Sequence, residues 1–297
     1  MKTLQNLWLK RVRWSILPCL LATAFSAFAA EPDYREIEFA KVGEHSLKLD
    51  IYLPEKVEDP KLLVWVHGGA WRRGSKEKMQ IPGLLDHGFA IASVSYRLSP
   101  VAKFPAQIHD IKAAIRFLRA HEDKYGYDAE KVIIAGSSAG GHLAAHVGVT
   151  NGHAELEGDI GEHEDQSSDV AAIVDFYGPT NFMTILHQST PHGLSVRVPA
   201  LELLLGAQPE KVSELAKLAS PVFHVDKNDP PLLLIHGDQD PQVPINQSHE
   251  LHGAYKSEGL ADRVKLEVIH GGLHGGEEFY DAERMQLVSD FLMKALK

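Results

Sequence analysis

The stretch Val132-Ile133-Ile134-Ala135-Gly136-Ser137-Ser138-Ala139-Gly140-Gly141 decides the reading of this chain. Val132 to Ala135 are apolar and rich in β-branched side chains, which suits a strand covered on both faces. Small residues follow, and a helix then continues through Leu143 to Val147. A serine hydroxyl is a weak nucleophile and needs a rigid, exposed Oγ beside a base. A sharp strand-to-helix turn supplies such a position, but it crowds the backbone, so its flanks must be small. Gly136 and Gly140 stand two residues either side of Ser138, which selects Ser138 over Ser137. The helix that starts after Ser138 points backbone N–H groups at developing negative charge, and the Ala139 N–H is the first candidate oxyanion donor. A tight turn of this composition also occurs in strand–helix loops with no chemistry, so the rest of the chain must decide.

Outward from that turn, apolar runs alternate with segments of helical period, which predicts an α/β fold with a mostly parallel sheet and helices on both faces. The runs are Leu62–Val66, Ala90–Val94, Val132–Ala135, Ala171–Phe176, Leu232–Ile235 and Lys265–Ile269. Helices are predicted over Gln107–Lys124, where Ile108, Ile111, Ile115 and Leu118 share one face, and over Pro209–Leu218, Gln247–Ser257 and Glu278–Leu296. Asn151–Asp169 is acidic and without period, and reads as an exposed loop; its His153, His163 and carboxylates make weak calcium binding the alternative. Gly178–Pro221 is too long for a plain connection and reads as a small helical insertion over the site.

Three further loops carry chemistry, each after an apolar run. Val66-His67-Gly68-Gly69-Ala70-Trp71 can bring backbone N–H groups close to a ligand, so Gly68 and Gly69, or Gly69 and Ala70, are candidate oxyanion donors beside Ala139. His67 reads as a brace for that loop, and Trp71 either lines the substrate pocket or braces the loop. His236-Gly237-Asp238-Gln239-Asp240 offers a carboxylate to orient an imidazole; Asp240 is the choice and Asp238, well suited to a turn, its rival. His270-Gly271-Gly272-Leu273-His274 offers the base, with His274 deeper in the loop. The order Ser138, Asp240, His274 is the nucleophile–acid–base order expected for this arrangement. His142 and His146 stand four apart, as metal ligands on a helix do, but no third ligand lies nearby in sequence, so no metal is expected. Asp110 and Arg116 read as structural ion-pair residues.

These motifs resemble the α/β-hydrolase superfamily, in particular the bacterial esterase/lipase group with an HGG-x-W loop, close to acetyl- or feruloyl-esterase-like and hormone-sensitive-lipase-like enzymes. The resemblance rests on His67 to Trp71, Tyr96 to Pro100 with Phe104-Pro105-Ala106, Gly136 to His142, His236 to Asp240 with Val243-Pro244, and Gly271 to Gly275. It runs from about Tyr52 to the C-terminus. Ala70 stands where lipase-like members carry a third glycine, which fits the HGG-x-W branch better. The resemblance implies a triad of Ser138, Asp240 and His274, no cofactor, and hydrolysis of short acyl esters. A carbohydrate esterase acting on acetylated or feruloylated polysaccharide is the alternative. An amidase or peptidase of the same fold, or a non-catalytic binding protein, ranks below both.

The 297 residues suffice for one large domain, with 44% hydrophobic and 24% charged residues as in an ordinary globular protein. Residues 1–29 stand apart: Lys2, Lys10, Arg11 and Arg13 precede an apolar run from Ile16 to Phe28, and Ala27-Phe28-Ala29 fits a signal-peptidase site. This pattern predicts export to the periplasm or beyond, leaving residues 30–297 as the hydrolase domain. Loss of the leader takes the formal charge from −10 to −14 and removes Cys19, the sole cysteine. A thiol nucleophile and disulfides are then excluded, and the negative charge disfavours nucleic acid and anionic membranes as partners, leaving small-molecule or polysaccharide-linked esters. If the leader is cleaved as read, N-terminal sequencing of the exported protein should begin at Ala30; retention of Met1 or a start inside the domain would refute that reading.

Overall fold

The computed structural model describes residues 30–297, so the predicted leader lies outside the described residues. Alternation along the strands sets the layers. In β3 (Lys61–Val66), Leu62, Val64 and Val66 pack on one side with Ile108, Ile111, Ile115 and Leu143, while Leu63 and Trp65 pack on the other with Leu84, Met285, Val288 and Leu292. Both faces of the strand are therefore buried, which is why it reads as an unbroken apolar run.

The strands β1 (Tyr34–Val42), β2 (His45–Tyr52), β3, β4 (Phe89–Val94), β5 (Asp128–Ser137), β6 (Ala172–Phe176), β7 (Leu232–Gly237) and β8 (Val264–Ile269) form one eight-stranded sheet in the order β1-β2-β4-β3-β5-β6-β7-β8. Pairing is parallel from β4 through β8, and antiparallel for β1 with β2 and β2 with β4. The register aligns Val66 with Gly136, Gly136 with Asp175, Phe176 with Ile235, and Gly237 with Ile269. The loops that follow these residues thus leave the sheet along one edge, where open parallel sheets bind ligands.

The longer helices are α1 (Ala106–Ala120), α2 (Ala139–Gly148), α3 (Pro191–Leu205), α4 (Asn246–Ser257) and α5 (Ala282–Ala295). The faces of α1, α2 and α4 join one core, and α5 joins the other. The six predicted apolar runs are all strands, with ends moved by a few residues. The helix predicted to Lys124 stops at Ala120, breaks at His121 and resumes over Glu122–Tyr125. Within Gly178–Pro221, α3 starts at Thr190, whose hydroxyl accepts from the Gly193 N–H at 3.0 Å, and stops at Gly206 in a left-handed conformation.

Two regions depart from the sequence reading. The β1–β2 hairpin was not predicted. Its outer strand carries Arg35, Glu36, Glu38 and Lys41, and such polarity is normal at a sheet edge but hides the strand from an apolar-run search. The signal was in β2, where Leu47, Leu49 and Ile51 alternate and are all buried. Asn151–Asp169 is also more than an exposed loop. It forms a short helix over Ala154–Glu157, buries Leu156, and sends Glu157 to two cations on α1. Lys112 Nζ meets Glu157 Oε2 at 3.1 Å and donates to the Thr150 carbonyl at 2.7 Å, and Arg116 pairs with Glu157 Oε1. Both residues read as ion-pair residues are so used: Arg116 pairs with Glu157, and Asp110 takes a bidentate guanidinium contact from Arg97. The acidic segment acts as a strap across α1. Replacing Glu157 with Ala leaves two buried cations without their carboxylate and should lower the unfolding free energy by roughly 3 kcal/mol. Urea denaturation reads this directly, and a loss under about 0.5 kcal/mol would mean that the strap's backbone carbonyls suffice.

Candidate active site

The turn after β5 is built by steric exclusion. A Cβ on Gly136 would lie 2.3 Å from the Gly140 carbonyl oxygen, and one on Gly140 would lie 2.0 Å from the Val66 carbonyl oxygen. Only glycine fits at either place. Ser138 between them adopts φ 53° and ψ −117°, an unusual conformation for a residue with a side chain. Its N–H donates to the Phe176 carbonyl at 2.8 Å, and its carbonyl accepts from His142 N at 3.0 Å, so strand and helix hold it from both sides. Ser137 points elsewhere and donates to Gln80 Oε1 at 2.8 Å.

The three residues expected to work together are brought together. His274 Nε2 lies 2.9 Å from Ser138 Oγ, and His274 Nδ1 lies 2.6 Å from Asp240 Oδ2. The other Asp240 oxygen accepts from the backbone N–H groups of Gln242 at 2.7 Å and Val243 at 2.9 Å. His236 stands 3.3 Å from Asp240 Oδ2 and is itself held by Ser248 and the Val243 carbonyl. Burial works to raise the Asp240 carboxyl, but hydrogen bonds from His236 and His274 outweigh it and keep Asp240 ionised well below the usual carboxylate range. For His274 the balance is reversed: burial lowers the imidazole below 6.5, and Asp240 opposes it only in part. The rival carboxylate, Asp238, pairs instead with exposed His270 at 3.0 Å and with the Gly271 N–H at 2.7 Å.

Ser138 and His274 open on a cleft of about 510 Å³, bordered by Gly68, Gly69, Ala70 and Tyr177. Among the described residues, the N–H groups of Gly68, Gly69, Ala70 and Ala139 make no hydrogen bond, so donors stand free beside the serine. The loop carrying the first three is braced. Tyr96 Oη donates to the His67 carbonyl at 3.0 Å, the His67 ring stacks on Tyr96 at 4.4 Å, and His67 Nδ1 contacts the Gly68 carbonyl at 2.8 Å. Burial pulls His67 down to about 4, so it is neutral, and it touches neither Ser138 nor Asp240.

Trp71 does not line the cleft, which corrects its reading as a substrate-binding residue. Its side chain is buried against Phe182, and its indole N–H donates to His142 Nδ1 at 3.2 Å. The apolar bulk that could have faced a substrate instead anchors the loop to α2. His142 spends its other nitrogen on the Ala219 carbonyl at 2.7 Å, so the His142/His146 pair is not set up as a metal site. No group of three or more metal-type side chains is arranged around a point among the described residues. A larger cleft of about 860 Å³ lies by Lys265 of β8 and Phe291 of α5, but it holds neither serine nor histidine.

Sequence reasoning passed over Tyr177 and Arg197. Tyr177 follows β6 directly, and its ring meets the His274 ring edge-on at 4.8 Å while its hydroxyl bonds to that of Tyr280. Its place at a strand end was the available signal. Arg197 comes from α3 and reaches the cleft beside Val196. No motif marks it.

Residues 49–255 match the BD-FAE family. The chain belongs to that family. Its fold is the α/β-hydrolase fold: a carbohydrate esterase from gut microbiota, solved in truncated form, superposes with a TM-score of 0.81 at 34% identity, covering 91% of this chain and 98% of that one. A thermophilic esterase of Thermogutta terrifontis, solved with propionate bound, gives a TM-score of 0.71 at 27% identity over 89% of this chain and 94% of the other. Esterase LipC of Mycobacterium tuberculosis is 35% identical over 191 residues, which are 63% of this chain and 46% of LipC. The chain spans about half the length of the curated relatives it matches.

Proposed function

We propose that this BD-FAE family member is a serine carboxylic-ester hydrolase working through an acyl-enzyme. The observation that carries the proposal is the unbroken line of hydrogen bonds from Asp240 through His274 to Ser138, at a cleft with free backbone donors. His274 Nε2 takes the proton as Ser138 Oγ attacks the ester carbonyl. The carbonyl oxygen gains charge and is met by the N–H of Ala139 and those of the Gly68–Gly69 loop. His274 returns its proton to the leaving alcohol, and Asp240 stabilises the imidazolium between the two transfers. Water then enters and attacks the acyl carbonyl as its proton passes to His274, and His274 returns that proton to Ser138 Oγ as the acid leaves. Every proton is accounted for by one imidazole.

Short acyl groups form part of the proposal, supported by the modest cleft and by the similarity to an esterase with bound propionate. A carbohydrate-directed esterase is the second reading, favoured by the 0.81 TM-score to a carbohydrate esterase and compatible with the export leader proposed above. A 4-nitrophenyl ester chain-length series run beside acetylated xylan and methyl ferulate separates the two.

Ser138→Ala should lower kcat by about 10⁵-fold or more while leaving the melting temperature within a few degrees; residual ester hydrolysis near the wild-type rate would sink the assignment. The base must be neutral to act. Because burial lowers His274, kcat/KM should rise with pH through a midpoint below 6.5 and stay level above it. A midpoint above 7 in the pH–rate profile would contradict the environment described for His274.

A further inference from the structure

Among the described residues, the buried cationic side chains are Lys76, Lys112, Arg116 and Arg197. Lys76 meets Asp50 at 2.9 Å, and Lys112 and Arg116 share Glu157. Arg197 differs. It is 1% exposed, its Nε and Nη1 are buried without a hydrogen-bond partner, and no carboxylate contacts it among the described residues. The Trp71 ring lies 5.8 Å from the guanidinium carbon, and Asp240 attracts it through space while Arg72 repels it. Asp240 cannot serve as its partner, because both Asp240 oxygens are already taken by His274, His236 and two backbone N–H groups. An unpaired buried guanidinium is costly, and such groups persist where a ligand completes them.

The place of Arg197 says what that ligand would meet. It stands on the wall of the cleft that Ser138 and His274 open on. Arg73 and Lys78 border the same cleft, and no aspartate or glutamate does. In a chain with a formal charge of −10, a cleft lined by three cations and no anion is a local reversal of sign. Cationic lining focuses the field and attracts anions, and a guanidinium is a side chain well matched to a carboxylate.

We propose that Arg197 is a specificity-determining residue that binds a carboxylate carried by the ester substrate, so that the enzyme prefers anionic esters to neutral ones. The proposal deepens the ester-hydrolase reading and rests on it. The carboxylate belongs to the acyl part, as in a monoester of a dicarboxylic acid, or to the alcohol part, as in an acylated uronic acid. Arg73 and Lys78 at the rim draw the anion in, and Arg197 fixes it.

The test pairs each anionic ester with a neutral analogue of matched size: monomethyl glutarate with its monoamide, methyl 4-carbamoylbutanoate, and acetylated methyl glucuronoside with acetylated methyl glucoside. Wild-type kcat/KM should favour the anionic member of one pair by about tenfold or more, and the pair that shows it locates the carboxylate. In Arg197→Met that ratio should fall to about one, and Arg197→Lys should keep part of it. A wild-type ratio near one for both pairs overturns the proposal. So does an Arg197→Met enzyme in which both members fall equally, since Arg197 would then only support Trp71 and Asp240. A binding measurement needs no turnover: calorimetry on Ser138→Ala should detect glutarate or glucuronate, at least about tenfold weaker when Arg197→Met is added. Binding by Ser138→Ala with no wild-type hydrolysis of any ester would defeat the esterase reading and leave the carboxylate site standing. No binding and no anionic preference, with neutral esters hydrolysed, would do the reverse.

Discussion

Much of this molecule depends on how closely the Gly136–Gly140 turn approaches the end of β3. The Val66 carbonyl leaves no room for a side chain at Gly140, and Gly140 leaves none at Gly136. That contact packs α2 onto the sheet and forces Ser138 into its positive-φ conformation. It also sets the distance between the serine and the loop after β3, so nucleophile and backbone donors are placed by one steric constraint. The backbone strain at Ser138 is held by hydrogen bonds from β6 and α2.

The acid–base side is set by polar satisfaction. Asp240 is buried, yet it keeps its charge because two backbone N–H groups and two imidazoles surround it. His236 contributes by holding the loop from beneath, locked by Ser248 of α4. The result is a carboxylate that cannot easily turn away from His274, and an imidazole held in the tautomer that leaves Nε2 free toward serine. The neighbouring pair Asp238–His270 has the same chemistry but lies at the surface, away from Ser138.

Buried cations show two solutions to one electrostatic problem. On α1, Lys112 and Arg116 share one carboxylate from a strap that crosses the helix. At the cleft, Arg197 has no such strap, and it lines the space that Ser138 and His274 open on. The first arrangement serves stability. The second trades stability for recognition, a trade expected at a binding site.

Local sequence determined a good deal. The apolar runs marked β3 to β8 because strands buried on both faces have no polar side to confuse the pattern. The spacing of Gly136, Ser138 and Gly140 named the serine, since sterics at a sharp turn act within a few residues. The strand-end positions of Asp240 and His274 followed from the same pattern. The hairpin β1–β2 escaped because an edge strand is polar, and Glu157 escaped because its partners lie some 40 residues away in the chain. The role of Trp71 stayed open in sequence for a related reason: an indole suits a pocket wall and a core equally, and only the position of His142 and Phe182 decides. Arg197 is the clearest case. A basic residue on a helix reads as solvated surface, and its burial without a partner exists only once α3 is folded over the end of the sheet. Residue identity fixed the chemistry available to this protein; tertiary packing decided which charges were left unpaired beside Ser138, because desolvation and distance are properties of the fold.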